Sequence, residues 1–252
     1  MIEVTQRGEV AVLQLKHGKA NALDVEFCDA IAAQLQALKN SSAGALVLIG
    51  QGQIFSAGVD LRRVLSGGPV YIRAFIPSLQ KAFEILFNFP KPVVAAVNGH
   101  AIAGGCILAC AADHRIMANG SGRIGTPELL VGVPFPTVAL ETVRFAAGPQ
   151  HFQKLVYSGA TLSPHKAQEY GLVDEVADPG ALLDHAVAAA ERLARLPRAA
   201  FALTKSQIRQ PTRTRIQNDG PRFDPTVEES WSSPETLAAI QQYVDRTLKK
   251  PS

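Results

Sequence analysis

The sequence predicts an α/β protein with a helical C-terminal region, and three features carry that prediction. Apolar, β-branched runs of strand length recur at 10–15, 44–50, 54–56 and 93–97. Between them lie longer stretches, 24–38 and 69–89, whose apolar residues return at helical spacing. Beyond Pro197 the strand runs stop and helical patterns with long polar joints take over.

Ile2–Thr5 and Val10–Leu15 alternate around Arg7-Gly8-Glu9 and predict a hairpin. A loop, His17 to Leu23, leads into a helix capped by Asp24, with Cys28, Ile31, Leu35 and Leu38 on its inner face. Residues 44–50 and 54–56 read as short strands. Pro69–Phe89 reads as a long helix that Pro77 should kink or divide, closed by Pro90 and Pro92. His114–Ala118 and Arg123–Gly125 flank the turn Asn119-Gly120-Ser121-Gly122 as strands. Helices are expected at Thr137–Ala147, Gln150–Tyr157 and Ser163–Tyr170, a strand at Gly171–Val176, and helices at Ala181–Leu196, Arg198–Arg209 and Pro234–Leu248.

Composition narrows the function classes. The 252 residues are 47% hydrophobic and 19% charged, as in a globular protein with a real core, and no apolar run reaches the roughly 18 residues of a membrane span. The formal charge of +3 is scattered, without the basic, aromatic-studded stripe that nucleic acid would require. The N-terminus alternates like a strand and carries acidic residues, so it reads as neither signal nor transit peptide, and a cytoplasmic, non-membrane protein is expected. Cys28, Cys106 and Cys110 are read as reduced core thiols, with no metal site implied.

The stretch Val93–Cys110, VVAAVNGHAIAGGCILAC, concentrates the chemistry. A buried strand breaks at Asn98-Gly99 and a helix restarts at Gly104-Gly105. A helix beginning there leaves backbone N–H groups without intrahelical partners, and glycine lets a substrate approach them, which suits stabilisation of an oxyanion. A second strand end, Ile54-Phe55-Ser56-Ala57-Gly58-Val59-Asp60-Leu61, has the same character.

Together FSAGVDL and NGHAIAGGC resemble the paired oxyanion-hole signatures of the crotonase superfamily, the enoyl-CoA hydratase/isomerase family, and the resemblance extends over nearly the whole chain. It implies the crotonase (ClpP/crotonase-like) fold, a spiral of ββα units over residues 1–197, followed by a C-terminal helical region, 198–252, that packs trimers. It implies an acyl-CoA substrate, no cofactor beyond the coenzyme A of the thioester itself, and a homotrimer or dimer of trimers. The two oxyanion donors fall on the N–H groups of Val59 and Gly104. Lys19, Ala20 and Ala22, with Ala57, Asp60, Leu61, Ile102 and Pro127, are implied to line the acyl-CoA site; His100 lines the pocket or is structural, and Lys205 lies where many members place a lysine near the CoA phosphates.

The chain departs from the hydratases at the acid/base. They carry a glutamate two positions after the last glycine of the GGG segment, where this chain has Ile107, and the segment opens with Ala103 instead of glycine. The second hydratase glutamate is matched by Glu128 in Gly125-Thr126-Pro127-Glu128-Leu129. Val133-Pro134-Phe135-Pro136 replaces a Pro-Gly-rich turn and should reshape the acyl pocket. Hydration uses two carboxylates, whereas one suffices to carry a proton from C2 to C4 of a 3-enoyl thioester. An apolar neighbour such as Ile107 should raise the pKa of Glu128. The AGGC-aliphatic pattern with one later glutamate is similar to delta-3-delta-2-enoyl-CoA isomerases. Isomerisation is therefore the first expectation, an atypical hydratase or other crotonase-type activity the second, and a non-catalytic acyl-CoA-binding protein the third. Asp113 is expected to be structural, and Glu141 to be a solvated helical acid or a second acid reaching the pocket.

Overall fold

A computed structural model describes residues 1–247. The chain opens with the antiparallel hairpin β1 (Ile2–Arg7) and β2 (Val10–Leu15). Helix α1 (Val25–Lys39) starts at Asp24, whose carboxylate accepts the Phe27 N–H, as the sequence requires of an N-cap. Three strand–strand–helix units follow: β3 (Ala45–Ile49), β4 (Ile54–Ser56) and α2 (Leu61–Phe87); β5 (Val93–Val97), β6 (His100–Ile102) and α3 (Gly104–Cys110); β7 (His114–Ala118), β8 (Ile124–Gly125) and the single turn α4 (Glu128–Val131). After these come α5 (Thr137–Ser158), β9 (Thr161–Leu162), α6 (Pro164–Glu169), β10 (Glu175–Ala177), α7 (Leu182–Ala194), α8 (Arg198–Trp231) and α9 (Pro234–Thr247). The expected helix end at Leu248 lies outside the described residues.

The first strand of each unit joins a six-stranded sheet, β1-β2-β3-β5-β7-β10, and the second joins a smaller sheet, β4-β6-β8-β9. This alternation is the ββα spiral that the sequence led us to expect. In the large sheet, pairings from β2 onward are parallel and buried on both faces. Val10, Val12, Val47, Val94 and Ile116 point to α7, while Leu13, Leu15, Leu46, Leu48, Val97 and Met117 point to the main core. The period of two thus sorts an unbroken apolar run into two cores, so the strands look uniformly hydrophobic in sequence.

Four local expectations needed correction. Helix α2 breaks at Gly68 (φ 55°, ψ −152°), a conformation glycine tolerates, and runs on through Pro77. Pro77 and Arg73, the residue four before it, are both exposed, so water can reach the backbone group that proline leaves unpaired. The short strands β6 and β9 fall where small and polar residues hide a strand pattern, and β10 starts four residues later than expected. The largest difference is α8, expected to end at Arg209 but continuous for 34 residues through Pro211, Pro221 and Pro225. Those prolines are exposed, while Lys205, Arg209, Thr212, Gly220, Val227 and Trp231 form a buried stripe at steps of three, four, seven and eight residues, the helical repeat, so tertiary packing outweighs the helix-breaking preference.

Lys205 and Arg209 anchor the start of α8. Lys205 Nζ lies 2.6 Å from Asp113 Oδ2 and donates to the Lys91 carbonyl (3.0 Å), and Arg209 Nη2 lies 2.8 Å from Asp113 Oδ1. Asp113 also accepts the Val93 N–H, tying the end of α3 to β5, so its expected structural role is met.

Candidate active site

The loop before α1 and the turn after β4 are stitched together by main-chain bonds. Ala57 N–H donates to Ala20 O (2.9 Å), Leu23 N–H to Gly58 O (2.7 Å) and Asp60 N–H to Leu23 O (2.9 Å). The Val59 N–H between them is passed over by this ladder. On the other side, Ile107 N–H makes the first helical bond of α3, to Ala103 O, which leaves the Gly104 N–H ahead of the helix.

The two turns touch. Gly58 adopts φ +83°, and a Cβ there would sit 2.6 Å from Ile102 O and 2.9 Å from Ala103 Cβ. A Cβ on Gly105 would sit 2.3 Å from Ser56 O, so α3 is seated directly on the β4 backbone. Ala103, which precedes α3, takes φ 51°, ψ −121° without being glycine, a strained conformation held by its N–H bond to Gly125 O (2.8 Å).

Both turns open on one cavity, part of it open to solvent. Ala57, Val59, Leu61, Ile102 and Gly104 of the two turns line it, together with Pro127 and Glu128, and so does Ile107, one turn further along α3 from Gly104. The elements around it (α2, α4, α5) contribute apolar side chains such as Phe83, Val131 and Ala139, and Phe135 and Pro136 of the unusual 133–136 segment complete that face.

Glu128 is the one carboxylate among the described residues lining the cavity. It is 7% exposed, and its Oε2 has no hydrogen-bond partner. Burial in apolar surroundings pushes its pKa up to about 8, only partly offset by a hydrogen bond from its own backbone N–H. The expected direction of the shift holds. An acid of this kind is predominantly protonated at neutral pH, yet near enough to ionisation to give and take a proton.

Other expected site residues sit differently. Lys19, Ala20 and Ala22 lie in the loop bonded to the first turn, with Lys19 exposed. Asp60 accepts the Arg62 and Arg63 N–H groups, each 3.1 Å away, and so caps α2. His100 begins β6, bonded through its N–H to Gln53 O, and is not among the residues lining the cavity. Lys205 is held in the Asp113 cluster, where burial pushes its pKa down to about 8 against the opposing pull of Asp113. Glu141 is neither solvated nor in the cavity: 4% exposed, it pairs with Arg144 Nε (2.8 Å) and Arg215 Nε (2.5 Å). Cys106 and Cys110 are buried free thiols with sulfurs 3.9 Å apart. No cluster of metal-binding side chains occurs among the described residues, and no described helix is long and apolar enough to cross a membrane.

Sequence reasoning missed Trp231 and Tyr243, which also line the cavity from the C-terminal helices. They lie a hundred residues or so from Glu128 in the chain, so nothing local marks them. Through these two residues the C-terminal helices contribute to the cavity lining, a contribution that the expected packing role for this region did not include.

The chain matches known proteins over most of its length. Residues 5–248 match the model of the family described as enoyl-CoA hydratase/isomerase. A relative from Thermus thermophilus, named "Putative enoyl-CoA hydratase", is 36% identical over 216 residues, 82% of this chain and 83% of the relative. The human mitochondrial enoyl-CoA delta isomerase 1 is 27% identical over 219 residues, 86% of this chain and 72% of that protein. The crystal structure of human mitochondrial delta3-delta2-enoyl-CoA isomerase superposes with a TM-score of 0.92 at 26% identity, covering 97% of each chain.

Proposed function

The chain belongs to the enoyl-CoA hydratase/isomerase family, and from that premise we propose that it shifts the double bond of a 3-enoyl-CoA thioester into conjugation, giving the 2-enoyl thioester. The observation that carries this reading is the solitude of Glu128: one buried carboxyl with an unpartnered oxygen, in the cavity onto which both amide-bearing turns open, with Ile107 where a second acid would have to stand. Hydration divides its proton traffic between a base that activates water and an acid that protonates carbon. A lone carboxyl serves a reaction in which one proton leaves and the same group returns one.

In this mechanism the thioester oxygen accepts hydrogen bonds from the Val59 and Gly104 N–H groups. Ionised Glu128 takes a proton from C2; the electron pair moves into C1–C2, and negative charge collects on the thioester oxygen facing the two amides. The neutral Glu128 then gives its proton to C4, the double bond settles between C2 and C3, and the carboxylate is restored, so no co-reactant is consumed. The amides are fixed before reaction and cost no reorganisation when the charge arrives; each such donor typically contributes about 2.7 to 4 kcal/mol. Coenzyme A takes part only as the substrate's thioester, its pantetheine running along the Lys19–Leu23 loop. Lys205 has no part in this scheme, because its ammonium is engaged by Asp113 and the Lys91 carbonyl. The working assembly in this reading is a homotrimer or a dimer of trimers.

A hydratase is the second reading, favoured by the printed name of the Thermus relative. Incubation of the protein and of Glu128→Gln with 3-hexenoyl-CoA and with crotonyl-CoA separates the possibilities. Isomerisation should proceed in the parent and fall by about 10²- to 10⁴-fold in the variant. Hydration of crotonyl-CoA that survives in the variant favours the hydratase reading, and thioester binding without turnover favours a carrier.

A further inference from the structure

Trp231 is the only tryptophan in the chain, and it lies in the cavity wall at the far end of a 34-residue helix. It is 2% exposed, and its Nε1–H donates to Pro134 O at 2.9 Å. That bond satisfies the one polar group of the ring and holds the indole against the 133–136 segment, whose Phe135 lines the same cavity. Helices α8 and α9 reach the cavity by packing on α2, α4 and α5 instead of on the sheets, and α9 comes close because Gly132 (φ +91°) presents no Cβ to Ala239. The cavity is therefore lined both by the two amide turns with Glu128 and by apolar side chains, among them the tethered indole.

We propose that Trp231 is the residue that sets acyl-chain length: the tail of the acyl group runs along the apolar side chains and stops at the indole, so that short chains fit and longer ones must displace it. This rests on the acyl-thioester reading of the cavity. The reason is steric as well as hydrophobic. Each methylene buried ahead of the indole should tighten binding about fourfold, and the gain should cease where the chain meets a ring that cannot tilt without breaking its bond to Pro134.

Saturated acyl-CoA thioesters from butanoyl to dodecanoyl test this without turnover, with affinity read by calorimetry and contact by the emission of the sole tryptophan. Affinity should rise with chain length to a break, the emission should change at that same length, and Trp231→Phe and Trp231→Leu should move the break to chains at least two methylenes longer. A break that stays in place in both variants, or emission indifferent to chain length at saturation, would overturn the assignment; if neither variant folds, the emission of the parent protein decides. Failure of every acyl-CoA to bind removes the acyl-thioester reading along with it, whereas binding without a break removes only the role of Trp231.

Discussion

Two buried glutamates show what distinguishes the cavity from the helical seam behind it. Glu141, in α5, is 4% exposed and holds two arginine side chains, one from its own helix and one from α8. Glu128 is 7% exposed and has an oxygen with no partner. Equal burial thus produces opposite chemistry. At the seam the carboxylate is paired and joins two helices; in the cavity the carboxyl has no cationic partner, and burial raises its pKa to about 8. Burial alone therefore does not single out a candidate acid; burial without a partner is the feature on which the proposal for Glu128 rests.

The sharpest contrast is in activity, where Glu128→Gln should lose the 10²- to 10⁴-fold described above while Glu141→Gln retains most turnover, measured with 3-hexenoyl-CoA at matched folded concentration. Stability should separate the same pair with opposite signs. The folded-state pKa of Glu128, about 8, lies above its ordinary value of 4.5, so the native protein binds more protons than the unfolded chain between those values. Its contribution to stability therefore falls as pH rises through that window, and the loss is complete above pH 8. Glu128→Gln should accordingly be more stable than the parent at pH 9, by on the order of a few kcal/mol, with the difference vanishing near pH 4. Denaturant titrations at the two pH values check this.

Glu141→Gln should instead destabilise at pH 7, by about 1 to 2 kcal/mol. The figure is below that for fully buried pairs because both arginines are 42% exposed and already partly solvated. Equal effects of the two substitutions on stability would break the comparison. The smallest effect concerns Ala103. Its strained backbone predicts that Ala103→Gly, ordinarily a destabilising change, is neutral or stabilising by about 0.5 to 1 kcal/mol, visible as a rise in thermal midpoint.

Much of this was legible in the sequence for identifiable reasons. Strands β2, β3 and β5 are read from their apolar runs, and the amide turns from glycine placed between strand and helix, because main-chain geometry there leaves little choice of residue. Glu128 was found by its position after Pro127. That it stands as the single acid is already implied by Ile107; that its Oε2 lacks a hydrogen-bond partner is not, since that depends on which side chains other elements withhold from it. The continuity of α8 was hidden because Pro211, Pro221 and Pro225 read locally as helix breakers, and the packing of the buried stripe that outweighs them is not a local signal. Trp231 and Tyr243 were hidden for a related reason: their place in the cavity follows from how α8 and α9 fold back, which no local pattern encodes.

The pH dependence of kcat/KM for 3-hexenoyl-CoA reads the central claim most directly. If isolated Glu128 is the base, kcat/KM should climb about tenfold per pH unit on the acid side and level off near pH 8, the value to which burial raises its pKa. A profile already flat from pH 6 upward, or one whose inflection persists in Glu128→Gln, would contradict it.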